Sequence, residues 1–95
     1  MTLKQTFADQ LKAQSEIWQA QTRDYQERLE QASEQARAEY KKAVEKMQST
    51  AEEARKLAET TSSANEAAWK DMVAANQKAF AELQRGWADA VSRFQ

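Results

Sequence analysis

From Trp69 to Phe94 the apolar side chains recur at helical spacing. That pattern limits the fold more than any other feature of the chain. At about 100° per residue, Trp69, Met72, Val73, Phe80, Leu83, Trp87, Ala90, Val91 and Phe94 share an arc of roughly 100°. Asn76 alone interrupts it. The opposite side carries Lys70, Asp71, Lys78, Glu82, Arg85, Asp89 and Arg93. Such a strip has to be covered, by another helix or by an apolar surface that is not protein.

The remainder of the chain points the same way. It has no proline and one glycine, Gly86, so strands and tight turns lack the residues they usually need. Ala, Glu, Gln, Lys and Arg dominate instead, and these favour helix. Thr2 and Gln5 stand at capping-box spacing and predict a helix start. Leu3, Phe7, Leu11, Trp18, Tyr25 and Leu29 then share one side, with Gln14 and Gln21 as polar gaps. From Ala32 to Ala58 that side turns mostly small: Ala36, Tyr40, Ala43, Met47, Ala51, Ala54 and Leu57. Opposite charges flank it at helical spacing, as in Lys41–Glu45, Glu52–Lys56 and Arg55–Glu59, each pair contributing about 0.2–0.5 kcal/mol.

Thr60-Thr61-Ser62-Ser63 is the main compositional break, because hydroxyl side chains compete for backbone hydrogen bonds. Ser63 followed by Glu66 repeats the capping-box spacing. The expected fold is all-α, one helical domain over 1–95. Helix 1 spans about 3–59, a break falls near 60–63, and helix 2 spans about 64–94. The two form an extended hairpin or coiled coil, in which the large side chains of the second helix meet the alanine strip of the first. Residues 1–28 then project for a partner. The alternative is a three-helix bundle with a further break near Ala32-Ser33. Steps of eleven from Leu3 (Tyr25, Met47, Trp69, Phe80, Val91) and from Phe7 (Trp18, Leu29, Tyr40, Val73) stay largely apolar. An eleven-residue period is that of a nearly straight helix.

Several classes of chemistry lack their residues. Histidine is absent, removing the commonest base near neutral pH and the commonest metal ligand. Cysteine is absent, so there is no disulfide framework or thiolate site. No P-loop, calcium loop or dinucleotide fingerprint occurs. Glu52-Glu53 and Asp24/Glu27 bring carboxylates together, but among compensating cations rather than in a dry pocket. With a net charge of −1 and both signs interspersed, no basic face for nucleic acid is visible. The first eleven residues include Lys4, Gln5, Asp9 and Gln10, unlike a signal peptide, so a cytoplasmic protein is expected. The reading is of a non-enzyme without cofactor or metal.

The Gln/Ala/Glu/Lys-rich, cysteine-free composition and the stretch from Asn65 to Leu83 (NEAAWKDMVAANQKAFAEL) resemble the bacterial phasins. Those are small helical proteins that coat polyhydroxyalkanoate storage granules. The resemblance implies a cytoplasmic, granule-associated coat protein that adsorbs through an amphipathic face and disperses granules. It also implies recruitment of polymer synthase or depolymerase. The expected contact residues are Phe7, Leu11, Trp18, Trp69, Val73, Phe80, Leu83, Trp87, Val91 and Phe94, with a homo-oligomer as the expected state. Two other readings suit the same strips: a coiled-coil oligomerisation or adaptor module, and a general lipid-surface binder.

Overall fold

The computed structural model describes residues 2–94 and contains three helices: α1 (Leu3–Glu30), α2 (Glu34–Ser63) and α3 (Glu66–Ser92). The end positions of the expected 1–95 domain lie outside the described residues. No strand occurs among the described residues. A helix of this length measures about 42 Å, and the molecule extends 51 × 19 × 15 Å. The helices therefore lie side by side, and the all-α expectation holds in its three-helix form.

The expected helix over 3–59 is divided. Its break falls at Gln31–Ser33, where Ser33 takes extended backbone angles and its hydroxyl accepts from Ala36 N at 3.4 Å. A serine cap is sufficient here without glycine or proline, because it satisfies a backbone donor that the new helix leaves open. The later break is also displaced. Thr60 to Ser63 stay helical, and the chain turns at Ala64–Asn65. Asn65, not Ser63, caps α3, its Oδ1 accepting from Ala68 N at 2.8 Å. The Thr2 cap lies where its spacing predicts, accepting from Gln5 N at 3.1 Å.

The helices run up, down and up. Part of the hairpin expectation survives: α3 folds back on α2, and Phe80, Leu83 and Trp87 pack against a cluster of Ala51 and Ala54 with Trp18 of α1. Ala43, Met47 and Ala90 form a second cluster with Tyr25, Trp87, Val91 and Phe94. The first 28 residues do not project. α1 occupies the third place in the bundle, burying Ala8, Leu11, Ser15, Trp18 and Thr22. Residue size explains the spacing. Small residues on α1 (Ala8, Ser15, Thr22) and α2 (Ala43, Ala51, Ala54, Ala58) let those two backbones approach most closely. Large rings lie between α1 and α3, whose backbones approach least.

Buried polar groups are accommodated locally. The Thr22 and Thr50 hydroxyls donate to Trp18 O and Lys46 O, both at 2.7 Å. Asn76, the polar interruption in the apolar strip, is buried, and its Nδ2 donates to Thr61 Oγ1 at 3.0 Å. One polar pair thus joins the first half of α3 to the last turn of α2. On the surface, Arg55 is paired with Glu52 and, at 2.5 Å, with Glu59. Arg93 Nη1 reaches Glu39 Oε1 at 2.6 Å.

Candidate functional site

The aromatic residues form a ladder between α1 and α3. Phe7 meets Trp69 at a centroid distance of 5.5 Å and Phe80, edge-on, at 6.1 Å. Trp18 lies 6.4 Å from Phe80 and stacks on Trp87 at 5.3 Å. Tyr25 approaches Phe94 at 4.7 Å, and Tyr40 of α2 stacks on the same ring at 4.3 Å. Arg28 caps the upper end, its guanidinium 4.9 Å from the Tyr25 centroid. Parallel α1 and α3 generate this ladder directly, since rings seven or eleven residues apart along each helix recur at the same face.

This arrangement corrects the expectation that the strip is left open for a partner. Leu11, Trp18 and Trp69 are buried. Phe7, Val73, Phe80, Leu83, Trp87, Val91 and Phe94 are half-buried. All ten expected contact residues lie on inward or seam-facing positions, where the chain's own helices cover most of their apolar area. Phe7, Leu11 and Trp18, expected to project, face α3 and the core instead. What remains accessible is the outer edge of the seam, where Phe7, Val73, Phe80 and Val91 emerge part-exposed.

Sequence reading overlooked Ile17 and misplaced Leu3. These are the exposed large hydrophobic residues among those described, at 51% and 80%. Ile17 lies off the inner face of α1, and its signal in the sequence was that mismatch: a large aliphatic side chain on an otherwise polar side. Tyr25 and Tyr40 also belong to the ladder, and the signal for each is its place on the apolar side of its own helix, Tyr25 with Phe7 and Trp18 and Tyr40 with Ala43 and Met47.

The charged residues are concentrated elsewhere. Asp9, Lys12, Glu16, Arg55 and Glu59 line an open groove of about 470 Å³ between α1 and α2. The Arg55 hydrogen bond holds the Glu52 carboxyl below its ordinary range, and Glu52 with Glu59 raises the Arg55 guanidinium above its own. Glu52 is thereby engaged as an ion-pair partner. No group of His, Cys, Asp or Glu that could hold a metal ion occurs among the described residues. No described helix is long and apolar enough to cross a membrane.

Comparison with known proteins adds no relative: neither a family model, nor a curated protein, nor a solved structure matches this chain.

Proposed function

We propose that this chain is a non-enzymatic coat protein of the phasin kind, adsorbing to the surface of polyhydroxyalkanoate granules in the cytoplasm. The observation that carries the reading is the aromatic seam. Its rings are held between the two helices whose backbones approach least, and its outer edge is part-exposed. Rings with a polar edge suit a boundary between apolar matter and water. A seam of this kind can exchange ring–ring contacts for ring–polymer contacts as α3 turns about the short Ala64–Asn65 connection. α2 keeps its charged outer face toward water, where it holds neighbouring granules apart. Recruitment of polymer synthase or depolymerase would use that same outward face.

The test is a fluorescent fusion imaged in cells with and without granules. The reading expects signal at granule rims when polymer is present and diffuse signal when it is not. Diffuse signal in both cases overturns it.

A further inference from the structure

The distribution of charge around α1 divides the bundle into two unlike sides. Four charged residues occur between positions 3 and 22, three turning toward α2 and the fourth toward the α2–α3 connection. Asp9, Lys12 and Glu16 line the α1–α2 groove, and Lys4 Nζ donates to Ala64 O at 2.8 Å. The other side of α1, beside the seam with α3, exposes Gln10, Ile17 and Gln21. Across the seam the charges of α3 turn outward, away from α1. At about 100° per residue, Lys78, Glu82, Arg85 and Asp89 share one arc, and Glu82 lines the groove toward α2. The arc facing α1 exposes Gln77, Ala81 and Gln84. Together these surfaces form a flank without a formal charge. It runs about 27 Å along both helices, bounded by Lys70 at one end and by Asp24 and Arg28 at the other.

We infer that this uncharged α1–α3 flank of the closed bundle is the surface that docks on the polyester. The inference rests on the coat reading above and names the face that performs it. The chemistry of the flank selects the occupant. An aliphatic polyester offers carbonyl acceptors and hydrocarbon, with no charge and no donor. The flank offers glutamine amide N–H donors interleaved with the methyl groups of Ile17, Ala81, Val73 and Val91. Nothing charged has to be desolvated when the two meet, and desolvating a charge would cost several kcal/mol. An anionic lipid surface calls for the opposite design, with Lys and Arg lining the contact face. The flank contains neither. Docking through it also places the part-exposed Phe7, Val73, Phe80 and Val91 against the polymer before any helix moves.

The experiment measures adsorption isotherms of the full chain on polyhydroxyalkanoate particles. Ile17→Glu/Ala81→Glu places two charges on exposed positions of the flank. Gln35→Glu/Ala38→Glu places the same two charges on exposed positions of α2. Gln77→Lys/Gln84→Lys repeats the flank substitution with opposite sign. Both flank variants are expected to lose at least tenfold in affinity, the α2 variant to stay within twofold of the parent, and all three to keep the parent's circular dichroism and melting temperature. Loss with either sign identifies desolvation as the cause. Flank variants that bind like the parent overturn the inference and leave the coat reading standing. A parent chain that ignores the particles overturns both. Binding to phosphatidylglycerol vesicles in place of polyester overturns the choice of occupant. So does a parent dimer, seen by sedimentation, that the flank substitutions split into monomers.

Discussion

The buried Thr61–Asn76 pair gives the most discriminating test of the packing. Thr61 is fully buried and Asn76 is 6% exposed, with the amide donating to the hydroxyl at 3.0 Å. Thr61→Val preserves shape and helix propensity but removes the acceptor, leaving a buried amide N–H without its partner. Such an orphan costs about 1–3 kcal/mol. For a chain of this size, 1 kcal/mol lowers Tm by roughly 4–8 °C. Asn76→Leu is milder, because the remaining hydroxyl can donate to a carbonyl of its own helix, as Thr22 and Thr50 do. The double variant Thr61→Val/Asn76→Leu replaces both polar groups with apolar ones, and should be at least as stable as the parent. Urea unfolding of the four proteins, followed by far-UV circular dichroism, gives the coupling energy, expected to exceed about 1 kcal/mol. A Thr61→Val variant as stable as the parent, with the double variant merely additive, would refute the assigned hydrogen bond.

Three further outcomes follow from the same geometry. Gly86→Ala should raise stability by about 0.5 kcal/mol: alanine gains about 1 kcal/mol of helix propensity, while the one close approach of the new Cβ is to the flexible Lys46 side chain, with Cε at 3.2 Å, and Thr50 Oγ1 at 3.8 Å is in ordinary contact; a lower melting temperature would contradict this. Trp18→Ala removes the ring shared by Phe80 and Trp87 and should cost about 3–5 kcal/mol, enough to abolish a sharp thermal transition and the near-UV signal. The Arg55 hydrogen bond keeps the Glu52 pKa below its ordinary 4.5, so its small contribution is present above that pH and disappears as pH falls through the lowered value. Glu52→Gln should therefore flatten the acid edge of the Tm–pH profile slightly, less so in high salt.

How much of this was legible in the sequence depended on which signals had competitors. Periodicity over Trp69–Phe94 identified a helix and its inner face correctly, since no glycine or proline opposed the pattern except Gly86, which the helix absorbs. Thr2 was legible as a cap for the same reason. The break near Ala32-Ser33 stands in the sequence only as the alternative, because no glycine or proline marks it. Its effect depends on α1 and α2 packing against one another. Ser63 appeared the better cap for α3 because of Glu66, yet Asn65 takes the position, and Thr61 is drawn into the helix by its buried bond to Asn76. The candidate site was legible as a set of residues and illegible as a surface. A strip of rings is the same pattern whether its cover is another helix or a polymer. Only the arrangement of α1 beside α3 reveals that the rings face one another and that Ile17 faces out.

The coat reading is tested most directly by quartz-crystal microbalance on a polyhydroxyalkanoate film, with the purified full chain flowed over it and then rinsed with buffer. The account predicts a saturating layer about one bundle thick, on the order of 15–20 Å, that survives the rinse and forms equally well at low and high salt because no charge mediates it. A layer that washes off, or one that forms only at low salt, would contradict it.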